Sequence, residues 1–78
     1  MKIQGGKKKV KVDYIKFSEE MRMQRAKQRL SQQDIASKMG VTYQTYARYE
    51  NDIRNASIND FLFLLNMFEL NIDDFIMK

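Results

Sequence analysis

Leu30-Ser31-Gln32-Gln33-Asp34-Ile35-Ala36-Ser37-Lys38-Met39-Gly40-Val41-Thr42 is the stretch whose reading settles the architecture. Ser31 stands three residues before Asp34. Its hydroxyl can accept from the Asp34 amide while the Asp34 carboxylate accepts from the Ser31 amide, and this reciprocal cap starts a helix at Gln32. Ile35, Ala36 and Met39 mark the buried face of that helix. Gly40 follows where a left-handed C-terminal cap wants a residue without Cβ. Thr42 then caps another helix running to Glu50, in which Tyr46 and Tyr49, three apart, share one face.

Outward from this stretch the pattern stays helical. Asp13 can cap a first helix over residues 14–28, with Ile15, Phe17 and Met21 set among charged residues. Asn51 to Ala56 has loop composition, and Ser57 caps a fourth helix to about Glu69, rich in Phe61, Leu62, Leu64, Leu65 and Phe68. Asn71 opens a last short helix containing Ile72 and Phe75. Five helices, no Pro and no internal repeat predict one all-α bundle over residues 13–78. Residues 1–12 read as a flexible basic arm. The alternation of Val10, Val12 and Tyr14 also fits a short strand in a dimer.

With 78 residues there is room for one small domain and none for a deep catalytic pocket. The chain has no Cys and no His, which excludes disulfides, thiol and imidazole chemistry and zinc sites built on those ligands. Glu19-Glu20 and Asp73-Asp74 are the only acidic doublets, and neither has a companion that would make a reaction centre. No catalytic residue, metal, cofactor or small-molecule ligand is therefore expected, and an enzyme is the remotest reading. No apolar run reaches the length of a bilayer crossing, and the lysine-rich start lacks the core of a signal peptide, so the expected place is the cytoplasm.

The formal net charge of +4 is unevenly spread. Residues 1–16 hold six Lys and one Asp, whereas residues 56–78 hold one Lys and four acidic residues. A basic start beside a neutral body suits a polyanionic partner, with counterion release driving association. A solubilising tail explains the first nine residues equally well.

Two short helices joined by a tight turn have the layout of a helix-turn-helix. Small Ala36 lets the second helix cross close by, and Ile35, Met39, Tyr46 and Tyr49 pin the pair to the bundle. The outer face of helix 42–50 is left free to read bases in a major groove. Arg48 can bond guanine in bidentate fashion, Gln44 adenine, and Tyr43 can pack on a thymine methyl or donate to a phosphate; a good bidentate pair discriminates by roughly 1–3 kcal/mol. The plainer reading of Arg48 is a solvated surface paired with Gln44 or Glu50.

The same stretch, with Thr45-Tyr46-Ala47-Arg48-Tyr49-Glu50-Asn51 and Arg54-Asn55-Ala56-Ser57, resembles the Cro and phage-repressor (lambda-repressor-like) helix-turn-helix domains over about Phe17 to Ile76. The resemblance implies a five-helix fold and a transcriptional repressor that binds double-stranded DNA as a homodimer on an inverted repeat. It implies that Tyr43, Gln44 and Arg48 read bases, and that Gln32, Thr42, Asn51 and Arg54 sit against the DNA backbone. Gln32 would hold a phosphate or support the base-reading side chains. It also implies an ion pair between Arg25 and Glu50 that links the first helix to the end of the third. The chain departs from the family pattern at Tyr46, where a smaller aliphatic residue is usual, and at Asp52 and Ala56, which replace the usual Gly and Pro.

The fourth helix has more apolar residues than one face can hide. Phe63 and Met67, with Ile76 or Met77, form a candidate dimer patch. Two other readings stay open: Phe63 covers the last helix, or this surface binds a partner protein, as in an antitoxin-like or adaptor module. The chain stops just after the fifth helix, so no second, ligand-sensing domain is expected.

Overall fold

The computed structural model of the protein describes residues 10–77. Its helices start where side chains satisfy the amides that a helix leaves unpaired. At the head of α1 (Tyr14–Lys27) the Asp13 carboxylate accepts from the Lys16 amide at 3.0 Å. At α2 (Gln32–Met39) the Ser31 hydroxyl accepts from the Asp34 amide at 3.0 Å and the Asp34 carboxylate accepts from the Ser31 amide at 2.8 Å. That exchange lowers the Asp34 pKa, since the bonds from Ser31 favour its charged form. Thr42 caps α3 (Tyr43–Asn51) through the Thr45 amide at 3.1 Å, and Ser57 caps α4 (Ile58–Met67) through the Asp60 amide at 3.1 Å.

Three of the helices end alike. After α1, α2 and α4 the chain turns through one residue of positive φ: Arg29 (57°), Gly40 (75°) and Glu69 (54°). In each case the following amide reaches back five residues, Leu30 to Arg25, Val41 to Ala36 and Leu70 to Leu65, at 2.8–3.0 Å. A Cβ at Gly40 would meet nothing within 4 Å, so the constraint there is the backbone angle and not space.

Helix α2 packs on α3, and α3 packs on α1, so α3 is held from two sides. The core gathers Phe17 and Met21 of α1, Ile35 and Ala36 of α2, Tyr46 and Tyr49 of α3, and Leu64 of α4, with Ile53, Phe68 and Phe75 closing it. Phe17 is its hub, with ring centroids 5.1 Å from Phe61 and 4.9 Å from Phe75. Such tilted and edge-on pairs add to simple burial. No helix is long and apolar enough to cross a membrane among the described residues.

Three expectations change. The fifth helix is a four-residue 3-10 turn, Ile72–Phe75, opened by Asn71, whose side chain accepts from the Asp73 amide at 2.9 Å. The described fold therefore has four α-helices and two 3-10 turns, the other being Ile53–Asn55. Second, Lys11 and Val12, assigned to the arm, form strand β1, which pairs antiparallel with β2 (Ile76–Met77) in the register Lys11 to Met77 and Val12 to Ile76. The Asp13 amide extends this clasp to the Phe75 carbonyl at 2.6 Å, and Lys16 Nζ donates to the Asp74 carbonyl at 2.9 Å. Of the alternating Val10, Val12 and Tyr14, only Val12 lies in this strand, and it pairs within the chain. The rest of the expected arm, residues 1–9, lies outside the described residues. Third, Ile15 does not join Phe17 and Met21 on the buried face of α1 but is 67% exposed.

Candidate nucleic-acid interface

Helix α3 carries two faces of opposite character. Tyr43, Gln44 and Arg48 are exposed, and Thr45 and Ala47 beside them are half-buried. Tyr46, Tyr49 and Glu50 point inward, Tyr46 being completely buried. At positions 43, 44, 47 and 48 one face of the helix therefore presents a phenol, a carboxamide, a methyl and a guanidinium on the surface of a tightly held element. These are the side chains that can answer the donors, acceptors and methyls of a major groove.

The inner face is fixed by an unusual anchor. Glu50 is a charged residue only 2% exposed. Burial penalises its charge, but four donors outweigh that penalty. Arg25 Nε bonds Oε2 at 2.8 Å and Arg25 Nη2 bonds Oε1 at 2.9 Å; Gln32 Nε2 adds 2.9 Å to Oε1 and the Tyr46 hydroxyl 2.7 Å to Oε2. The Glu50 carboxyl is consequently held below its ordinary range, opposed by burial and lowered by Arg25, Tyr46 and Gln32. Arg25 is pushed above its ordinary range by the bond to Glu50, and the Tyr46 phenol is pushed far up by burial and by the same carboxylate. One residue each from α1, α2 and α3 thus meets on a single carboxylate. Arg25 Nη1 also donates to the Leu30 carbonyl at 3.1 Å, tying in the turn between α1 and α2.

Two further contacts set the tilt of α3. Arg22 Nη2 donates to the Glu50 carbonyl at 3.2 Å, and the Tyr49 hydroxyl donates to Asp60 Oδ2 on α4 at 2.8 Å. Asn55 Nδ2 closes the C-terminal end through the Arg48 carbonyl at 3.3 Å.

The residues expected at the DNA backbone have distinct surroundings. Gln32 is half-buried and gives its amide to Glu50, so it joins the network behind α3. The Thr42 hydroxyl is occupied in the cap and donates to Thr45 Oγ1 at 2.9 Å. Asn51 is exposed at the end of α3. Arg54 is exposed but paired: Nη2 meets Asp52 Oδ2 at 2.7 Å and Nε meets Asp52 Oδ1 at 2.9 Å. Its guanidinium also lies 4.0 Å over the Tyr14 ring. Asn51, Asp52 and Arg54 line a shallow cleft of about 300 Å³ with Ser18 and Arg22.

Of the candidate dimer patch, Phe63 is 39% and Met77 49% exposed, while Met67 packs partly against the core and Ile76 is half-buried in β2. Exposed Ile58 and Leu62 extend the apolar surface of α4.

Sequence reasoning missed three contributors. Arg22 carries no signal beyond its spacing from Arg25. The Tyr46 hydroxyl is a buried donor four residues before Glu50, a helical spacing that could have pointed to it. Asp52 and Arg54 were each singled out, but not as a pair. Among the described residues no group of three or more His, Cys, Asp or Glu side chains is placed to hold a metal ion.

A family model described as helix-turn-helix matches residues 21–75. No curated protein and no solved structure matches the chain.

Proposed function

The chain belongs to the Cro/C1-type helix-turn-helix family of DNA-binding transcription regulators, and on that premise we propose that it is a repressor that occupies operator DNA as a homodimer. In this reading α3 of each protomer enters the major groove. Tyr43, Gln44 and Arg48 read base edges, Asn51 and Thr42 approach the sugar-phosphate backbone, and Gln32 acts from behind through Glu50.

The observation that carries the reading is the contrast within α3: Tyr43, Gln44 and Arg48 stand exposed on a helix whose inner face is tied to two others through Glu50. A base-reading surface needs this rigidity, because side chains must meet donors and acceptors of fixed spacing. Dimerisation is supported by the apolar residues left exposed, Phe63 and Met77 among them. A two-fold dimer would set paired α3 helices on half-sites about 34–36 Å apart.

Selection of binding sites from a random-sequence duplex pool tests the proposal. The expected product is a short inverted repeat, bound with an affinity that falls steeply with salt. Recovery of no preferred sequence, together with a monomer in sedimentation with and without DNA, would overturn it.

A further inference from the structure

The loop after α3 holds an arginine in a place suited to phosphate, yet the structure gives that arginine a carboxylate of its own. Asp52 accepts twice over from the Arg54 side chain, Oδ2 from Nη2 at 2.7 Å and Oδ1 from Nε at 2.9 Å. The third side of the guanidinium is also occupied: Nη1 donates to the Tyr14 hydroxyl at 3.1 Å, and the group lies over the Tyr14 ring, 4.0 Å from its centroid. The backbone fixes the Asp52 carboxylate as well, since Oδ1 accepts from the Arg54 amide at 3.0 Å and so shapes the 3-10 turn. The pair is mutual in its electrostatics: bonding to Arg54 lowers the Asp52 pKa, and bonding to Asp52 raises that of Arg54.

We propose that Asp52 is a built-in brake on DNA affinity, which neutralises Arg54 and withholds it from the phosphate backbone beside α3. The inference rests on the DNA-binding reading above and names a residue that tunes it. The chemistry is direct. A cation releases DNA counterions only to the extent that it brings net charge to a phosphate, and Arg54 with Asp52 brings none. Tyr14 adds to the effect by holding the guanidinium against the protein surface. The pair is largely solvent-facing, with the Arg54 side chain 61% and the Asp52 side chain 33% exposed, so an approaching phosphate competes with Asp52 for the same N–H groups. The cleft they share with Asn51 and Arg22 places this competition at the end of the base-reading helix.

Asp52→Asn separates charge from shape, because the amide oxygen can still accept from the Arg54 backbone amide. The experiment titrates wild type, D52N, R54A and the D52N/R54A double variant against a labelled random-sequence duplex across roughly 50–200 mM salt. Thermal unfolding of each protein shows that all four remain folded. The expected result for D52N is roughly fivefold tighter binding per protomer near 0.1 M salt, with the salt slope steeper by about 0.9. R54A, which leaves the Asp52 charge bare, should bind more weakly than wild type, and R54A in the D52N background should abolish most of the gain and return binding to about the wild-type level. Wild-type binding with no gain in D52N overturns the brake but leaves the DNA-binding reading standing. A gain that survives R54A also overturns it, since Asp52 would then act as a bare repulsive charge. Failure of all four proteins to bind any duplex removes the DNA-binding reading and this inference with it.

Discussion

The inner and outer faces of α3 are opposite sides of one short helix and obey different physics. Inside, Tyr46 and Glu50 are fully desolvated, and their polar atoms are spoken for by Arg25, Gln32 and each other. Outside, Tyr43, Gln44 and Arg48 face water. The inner face fixes where the helix is, and the outer face is free to differ without altering the fold. Stability and recognition should therefore separate by residue along a single nine-residue helix. A buried ion pair is a weak source of net stability, but removing one partner leaves the other without compensation. The network therefore acts mainly as a geometric clamp.

The sharpest break in this comparison is Glu50→Ala, which strands Arg25 and leaves the Tyr46 hydroxyl and the Gln32 amide without an acceptor. We expect a loss of about 3 kcal/mol, the lower end of the range for a broken buried pair because Arg25 retains some access to water. For a domain of this size the thermal midpoint should fall by roughly 15 °C. DNA binding should fail with it, and an unchanged midpoint measured by circular dichroism would refute the clamp.

Acid attacks the same group reversibly. The folded-state pKa of Glu50 is depressed, so its contribution is present above the ordinary carboxylate range and is lost as pH falls through the lower folded value. Asp34 and Asp52 are lowered as well and act in the same direction. Urea midpoints should thus decline below about pH 4, and Glu50→Gln should flatten part of that decline. A midpoint independent of pH across this window would contradict the assignment.

Tyr46→Phe is gentler, because it deletes one donor while Glu50 keeps Arg25 and Gln32. A cost of about 1–2 kcal/mol is expected from the lost bond to a charged acceptor. Equal stability of the two proteins would show that the hydroxyl is incidental. At the small end, Arg48→Ala should shift stability by no more than about 0.5 kcal/mol, while its preference at one base pair per half-site relaxes by roughly 1–3 kcal/mol. Competition binding with single-base operator variants reads that loss.

What was legible in the sequence follows the same division. The caps at Asp13, Ser31, Thr42 and Ser57 and the turn at Gly40 are local rules, and each appears in the structure where the residues put it. The outward set on α3 follows from helical period alone. The resemblance placed Arg25 with Glu50, and the two are joined by two hydrogen bonds. The clasp between Lys11–Val12 and Ile76–Met77 was not readable as such, because it consists of backbone bonds across the whole chain and two-residue strands carry almost no pattern. The last element looked helical from its Asn71 cap, but four residues cannot sustain an α-helix without more turns behind them. Asp52 was noticed as a departure from the family, and its partner two residues on could be recognised only from geometry.

The most direct test joins both faces in one comparison: wild type and a Tyr43→Ala, Gln44→Ala, Arg48→Ala triple variant, each unfolded thermally and each used to select sites from the same random-sequence duplex pool. The account predicts closely similar unfolding midpoints, an inverted repeat enriched by wild type, and no enriched repeat for the variant. A variant that is equally stable and still selects the wild-type repeat would show that sequence is read elsewhere on the molecule.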